Sequence, residues 1–312
     1  MKILISDKAH ANCAAQFKAA GFEVDEKTGL DPEELKSIIK DYDGLVIRSA
    51  TKVTADLLEA AENLKVVGRA GAGLDNVDIP AATAKDVVVM NTPGQNSNAA
   101  AELAITMVFA LSRHLYRACE SLKACRWEKK ALQGREVMGK TLGVLGFGNI
   151  GRIVGELGRG VKMQVVAYDP YLNADQIGAL GATAVSFDDL LTQSDFVTIH
   201  IPRTKETANL FNAETIGKMK DGAYLINCSR GGIVNENDLY DALAAGKLSG
   251  AALDVFEVEP PGEHKLLELE NFICTPHLGA STLEAQINVA VAVADQMVRY
   301  LKDGEAINAV NR

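Results

Sequence analysis

Short aliphatic runs, each followed by a helical pattern, recur from one end of this 312-residue chain to the other. Ile3-Leu4-Ile5, Leu45-Val46-Ile47, Val66-Val67 and Val87-Val88-Val89-Met90 come first. Leu142–Leu145, Gln164–Tyr168, Phe196–Ile201, Tyr224–Asn227, Ala251–Val255 and Phe272–Cys274 follow. Strand and helix in alternation build parallel sheets, so the fold class is α/β. The first set, with helices starting near Asp31-Pro32, Thr54 and Asn76, makes one doubly wound unit over residues 1–93. Residues 98–118 then read as one long helix, apolar on nearly every face from Ala99 to Leu111. Such a helix lies in deep core or between domains or subunits, which points to a homodimer or homotetramer. A second α/β series starts at Gly139, and a final helix over residues 282–301 shows an apolar face through Ile287, Val291, Ala294 and Val298.

Composition excludes several classes. A net charge of −9 argues against a nucleic-acid surface. No run approaches the ~20 apolar residues needed to span a bilayer, so no membrane partner is expected. The start, Met1-Lys2-Ile3-Leu4-Ile5-Ser6, reads as a strand and not as a signal peptide. The five cysteines, Cys13, Cys119, Cys125, Cys228 and Cys274, are scattered, with no CxxC pair and no histidine cluster. They read as reduced thiols of a cytoplasmic protein, and no metal site is expected.

The most specific local signal is Gly146-Phe147-Gly148-Asn149-Ile150-Gly151. A buried strand, Thr141–Leu145, leads into it, and a helix with Ile153, Val154 and Leu157 on one face leads out. In such a turn Gly146 permits the bend, Gly148 lets backbone approach a pyrophosphate, and Gly151 lets helix and strand pack closely. The phosphates then meet a helix N-terminus. Asp169 ends the next strand, 18 residues past Gly151. A carboxylate near that distance accepts ribose hydroxyls and repels a 2′-phosphate, which selects NAD over NADP.

Hydride transfer also needs a proton carrier, a cation at the substrate oxygens and a group that tunes the carrier. Three strand ends offer them. Arg230 stands in Asn227-Cys228-Ser229-Arg230-Gly231-Gly232, Glu259 ends Asp254-Val255-Phe256-Glu257-Val258-Glu259 before two prolines, and His277 stands in Thr275-Pro276-His277-Leu278-Gly279. Ligands of doubly wound sheets bind at the carboxyl ends of strands. The other histidines read as less useful: His10 and His114 in helical segments, His264 in a polar loop, His200 inside a strand.

These loops, with Arg69-Ala70-Gly71-Ala72-Gly73-Leu74-Asp75-Asn76 and the Gly146 turn, resemble the D-isomer-specific 2-hydroxyacid dehydrogenases over essentially the whole chain. Val46–Thr54, Asn91–Ser97 and Trp127-Glu128-Lys129-Lys130 are most similar to members that oxidise 3-phospho-D-glycerate to 3-phosphohydroxypyruvate, the first step of L-serine synthesis. The resemblance implies a Rossmann cofactor domain, residues 94–285, inserted into a flavodoxin-like substrate domain, residues 1–93 with 286–312, and a cleft that closes on substrate. It implies that His277 takes the C2 hydroxyl proton, that Glu259 pairs with it, and that Arg230 holds the substrate carboxylate and C2 oxygen. A carboxylate beside an imidazole favours its charged form. The NAD positions carry over to Asn149, Ile150, Asp169, Ile201, Cys228, Arg230, Asp254, His277 and Ala280. The substrate positions carry over to Arg48, Ser49, Arg69, the Ala70–Gly73 loop with Gly71, Asn96, and Lys129 from a partner subunit.

Two departures stand out against that pattern. Ala72 replaces a threonine, with loss of one hydroxyl contact near the nicotinamide. Lys129 replaces an arginine, so phosphate would meet a point charge and not a bidentate fork. Longer members continue into serine-sensing domains, so serine feedback through such a domain is not expected of a chain ending at Arg312. Other substrates (hydroxypyruvate, glyoxylate or D-lactate) and a corepressor-like scaffold that senses NAD are the alternatives. Arg48, Arg69 and Lys129 favour the phosphorylated acid.

Overall fold

The aliphatic runs form two separate, wholly parallel sheets. In the computed structural model, which describes residues 1–312, the chain divides into two units: Met1–Asn96 with Ser281–Arg312, and Ser97–Ala280. The second unit thus interrupts the first in chain order.

The first unit holds β1 (Lys2–Ile5), β2 (Glu23–Glu26), β3 (Gly44–Ile47), β4 (Val66–Arg69) and β5 (Val88–Met90). Their order is β2-β1-β3-β4-β5, the flavodoxin-like winding. β2, Glu-Val-Asp-Glu, is absent from the aliphatic runs because it is an edge strand, paired on one side and only partly covered. The helix Pro32–Ile38 starts as its sequence dictates: Asp31 caps it, Glu34 returns the bond, and Pro32 is the first helical residue. Thr54 caps the helix Ala55–Ala60, its hydroxyl accepting from the Leu57 N–H. The helix expected near Asn76 starts later, at Ile79, with Asp78 as its cap. The Asn76 amide is committed elsewhere, donating to the Arg48 and Thr51 carbonyls at 2.8 and 2.6 Å.

The last helix, Leu283–Asp303, lies on this sheet, capped by Thr282. Its buried stripe is Ala285, Val289, Val293 and Met297, flanked by Ala290 and Ala294, while Val291 is exposed. The apolar face is therefore rotated from the one read off the sequence, where alanines weaken the contrast between faces. Gly68 in β4 explains the close approach: a Cβ there would fall 2.2 Å from Met297 Sδ and 2.7 Å from Val293 Cγ2.

The second unit holds β6 (Thr141–Leu145), β7 (Gln164–Tyr168), β8 (Thr183–Ala184), β9 (Phe196–Ile199), β10 (Ala223–Asn227), β11 (Leu248–Leu253) and β12 (Phe272–Cys274). Their order, β12-β11-β10-β9-β6-β7-β8, is the Rossmann winding extended by one strand. The direction of winding reverses between β6 and β9, which opens a crevice at their carboxyl ends. Two further expectations differ from the structure of this unit. Residues 98–118 are not one helix: Ser97–Ser112 and Leu115–Lys123 are separated at His114, whose φ of 48° is left-handed. The first of the pair buries ten of its sixteen residues against its own unit, including β10, β11 and the helix Asn149–Gly160. His200 lies just beyond β9, not within a strand.

Because Met297 is fully buried between helix and sheet, Met297→Ala should cost about 2–5 kcal/mol. Urea unfolding checks this; a loss below about 1 kcal/mol would show that the helix does not seal this core.

Candidate active site

The second unit gathers its chemistry at the strand carboxyl ends. Gly146 follows β6 with a φ of +85°, and a Cβ there would lie 2.6 Å from the His200 carbonyl oxygen and 2.7 Å from Ile201 Cγ2. Any side chain is excluded by both conformation and space. A Cβ on Gly151 would fall 1.9 Å from the Gly146 carbonyl oxygen, so helix and turn touch through backbone. Gly148 differs: a Cβ there would meet no atom within 4 Å, so nothing inside the protein demands glycine. No side chain caps the helix that starts at Asn149, which leaves its first-turn N–H groups for an anion. An open cradle over an uncapped helix start fits a dinucleotide pyrophosphate.

Asp169 braces this turn. Its Oδ2 accepts from the Phe147 N–H at 2.8 Å and its Oδ1 from the Tyr171 N–H at 2.9 Å. Each oxygen keeps a further lone pair for a ribose hydroxyl. Ile150 is half-buried at the helix start, and the Asn149 side-chain oxygen is taken by Arg152. Cys228 is buried, and that burial pushes its thiol well above the usual range.

Asn227 shapes the next loop. Its Oδ1 accepts from the Ser229 N–H and hydroxyl at 3.0 and 2.7 Å, and its Nδ2 donates to the Arg230 carbonyl at 2.8 Å. Arg230 is thereby held at the end of β10, with Nη1 donating to the Ser229 carbonyl at 2.7 Å. A Cβ on Gly231 would fall 1.7 Å from the Phe256 carbonyl oxygen, so the Arg230 and Glu259 loops abut through backbone.

Glu259 Oε2 lies 2.8 Å from His277 Nδ1. The carboxylate fixes the tautomer: it has no proton to give, so Nδ1–H donates and Nε2 keeps its lone pair. Both side chains remain open, His277 at 48% and Glu259 at 39% exposure. His277 stands on a left-handed turn, φ +55°, with its N–H donating to the Asp254 and Thr275 carbonyls at 2.9 and 3.0 Å.

Asp254 holds that turn from beneath. It is 1% exposed, and its carboxylate accepts from the Thr275 hydroxyl at 2.5 Å, the Leu278 N–H at 2.7 Å and the Gly279 N–H at 2.8 Å. Three of about four lone-pair positions are thus spent inside the chain. The resemblance marked Asp254 only as a cofactor contact; its structural role was visible in the sequence solely as an acid at a strand end. Ala280 follows, partly buried, where the second unit ends.

His200, passed over in the sequence, is held in an unusual state. Its Nε2 lies 2.8 Å from the Thr198 hydroxyl, its Nδ1 is buried without a partner, and burial pushes the imidazole down to about 3. Lys129 is not brought to His277. It borders an open pocket of about 880 Å³ with Arg113, Lys130 and Arg135, whose lining includes none of the loops that carry Arg230, Glu259 and His277.

The first unit carries its own polar cluster. Arg48 follows β3, and burial pulls its guanidinium below the usual arginine range. Nη1 donates to the Lys8 carbonyl at 3.1 Å, while Nε is buried with no partner. Asn96 Oδ1 and the Thr92 hydroxyl are also buried and unsatisfied. Ser49 is exposed beside Arg48. The Arg69 side chain lies across Gly71, where a Cβ would be 2.7 Å from Nη1. Asp7, which the sequence did not single out, fixes the Arg48 loop. It accepts from the Arg48 N–H at 2.6 Å, the Thr51 N–H at 3.1 Å and the Thr51 hydroxyl at 2.7 Å.

Residues 105–279 match the family described as D-isomer specific 2-hydroxyacid dehydrogenase, NAD binding domain. The chain belongs to that family. Its second unit is the NAD-binding domain and its cofactor is NAD. The chain is 48% identical to a D-3-phosphoglycerate dehydrogenase of Synechocystis sp. over 99% of its own length, but it spans 56% of that protein. It is 47% identical over 275 residues to a hydroxypyruvate reductase of Thermotoga maritima, covering 87% of this chain and 89% of the relative. The NAD⁺-bound 3-phosphoglycerate dehydrogenase structure of Entamoeba histolytica superposes with a TM-score of 0.85 at 31% identity, covering 100% of this chain and 99% of that one. No helix of this family member is long and apolar enough to cross a membrane.

Two outcomes are expected. Asp254→Ala orphans three donors and should cost on the order of 3 kcal/mol in urea unfolding; a loss under about 1 kcal/mol would deny the carboxylate its bracing role. His200 stays neutral in the fold but protonates once unfolded, so stability present above about pH 6.5 should fall as pH drops toward 3. Replacing it, as His200→Asn, should flatten the thermal midpoint between about pH 7 and 4; an unchanged slope would assign the acid sensitivity elsewhere.

Proposed function

We propose that this chain oxidises a phosphorylated D-2-hydroxy acid, 3-phospho-D-glycerate, to 3-phosphohydroxypyruvate. The observation that carries the reading is the Glu259–His277 pair, 2.8 Å apart, on a NAD-binding domain of this family. Bound NAD⁺ supplies the acceptor for the hydride leaving C2. The chain's own residues do the rest. His277 Nε2 takes the C2 hydroxyl proton as general base, and Glu259 keeps the ring oriented and offsets the charge that develops on it. Arg230 holds the substrate carboxylate and polarises the C2 oxygen. The balance is one hydride from carbon, one proton to imidazole, and a new carbonyl.

For the cofactor, Gly146, Gly148 and Gly151 with Asn149 and Ile150 would hold the pyrophosphate, and Asp169 the adenosine ribose. Ile201, Cys228, Asp254 and Ala280 would border the remainder. For the substrate, Arg48, Ser49, Arg69, Gly71 and Asn96 are assigned on the first unit. Arg48 suits the phosphate best, since its half-buried guanidinium has an unspent Nε donor. Lys129 would come from a second copy, in a homodimer or homotetramer. The exposed Leu115, Tyr116, Leu122 and Trp127 support such a contact. We place the protein in the cytoplasm, as a metabolic enzyme of serine synthesis.

A second reading, reduction of unphosphorylated hydroxypyruvate, is favoured by the Thermotoga relative, 89% of which this chain covers. A steady-state comparison separates the two. Activity at least about tenfold higher with 3-phospho-D-glycerate than with D-glycerate supports the phosphorylated substrate, and the reverse ranking supports the rival. Arg48→Gln should then raise KM for the phosphorylated acid and leave KM for the unphosphorylated one nearly unchanged; equal effects on both would remove Arg48 from the phosphate. His277→Ala should cut kcat on the order of 10²–10⁴-fold while NAD affinity, read by fluorescence titration, stays near normal. Turnover that survived would remove His277 as the proton carrier.

A further inference from the structure

One carboxylate outside the residues assigned so far grips both ends of the loop that carries Glu259. Glu236 is the first residue of the helix Glu236–Ala244. Its Oε1 accepts from the Glu257 N–H at 2.7 Å, and its Oε2 lies 2.9 Å from His264 Nε2. The two tie points, Glu257 and His264, bracket Glu259. Neither partner is open to solvent: Glu236 is 13% and His264 19% exposed. The histidine is oriented as well, because its Nδ1 accepts from the Leu266 N–H at 3.3 Å, so the ring proton sits on Nε2 and points at the carboxylate. Inside the bracket, Glu259 turns one oxygen, Oε1, to the Phe256 N–H at 3.1 Å and the other to His277.

We propose that Glu236, with His264, is a positioning residue for the Glu259–His277 pair, an inference that rests on His277 being the proton carrier. The loop has no regular structure of its own over residues 257–264, so the direction of the Glu259 side chain depends on what fixes the loop ends. The helix bearing Glu236 follows directly on the Arg230 loop, and Gly231 already touches the Phe256 carbonyl. One side chain therefore sets the Glu259 loop relative to the Arg230 loop. A displacement of about 1 Å in such a loop can cost on the order of 10²-fold in rate without touching substrate.

The test is a double-mutant cycle on the full chain with NAD. Glu236→Ala should lower kcat between about tenfold and 10²-fold with NAD affinity within about twofold of the parent. Glu236→Gln keeps an acceptor for the Glu257 N–H and should recover part of that loss. In a Glu259→Gln background, Glu236→Ala should change kcat by less than about twofold, since the group it positions is already gone. A second readout needs no turnover: the low-field imidazole N–H proton of His277, bonded to Glu259, should weaken in proton NMR of Glu236→Ala and return in Glu236→Gln. Should Glu236→Ala fail to fold, His264→Asn cuts one tie and should show a smaller loss of the same sign in both readouts. Equal losses in the two backgrounds, or an unchanged N–H signal, overturn the proposal. Survival of activity in His277→Ala instead overturns the reading beneath it, so the two failures are distinguishable.

Discussion

The buried carboxylate of Asp254 is the contact on which the site depends. It lies just past the end of β11, out of reach of water, and accepts from Thr275, Leu278 and Gly279 on both sides of His277. The histidine backbone is left-handed, a conformation costing on the order of 1–3 kcal/mol for a residue with a side chain. The bonds to Asp254 hold it there. They offset that cost and put the imidazole at the rim, close enough to Glu259 for a 2.8 Å bond while Nε2 stays unspent.

The parallel sheet supplies the rest of the placement. Its strands point the same way, so every carboxyl end opens on one edge, and β6, β7, β10, β11 and β12 deliver the Gly146 turn, Asp169, Arg230, Asp254 and His277 to it. Asn227, Asp254 and Glu236 act alike: one buried or half-buried polar side chain fixes the backbone of a functional loop. In the first unit Asp7 does the same for the loop that carries Arg48.

Much of this was legible in the sequence, for identifiable reasons. Parallel strands covered on both faces read as aliphatic runs, so the central strands of both sheets stood out, as did the edge strands β5 and β12, whereas the polar, partly exposed β2 and the two-residue β8 did not. Arg230, Glu259 and His277 were singled out because each follows a strand and borders glycine or proline, and the fold brings Glu259 to within 2.8 Å of His277. What stayed hidden was whatever depends on a partner distant in the chain. Asp7, Glu236 and His264 look like ordinary loop or cap residues until the fold brings Thr51, Glu257 and Glu236 to them. The break at His114 was hidden because Leu115 and Tyr116 resume the apolar pattern after Ser112-Arg113-His114 and no proline or glycine marks it.

The proposed transfer of a hydride from C2 of a phosphorylated acid to NAD is tested most directly with 3-phospho-D-glycerate deuterated at C2. Mass spectrometry of the cofactor after reaction is expected to find the deuterium in the reduced nicotinamide, with far less label transferred from C2-deuterated D-glycerate at equal concentration. Reduced cofactor without label, or equal transfer from the two acids, would contradict it.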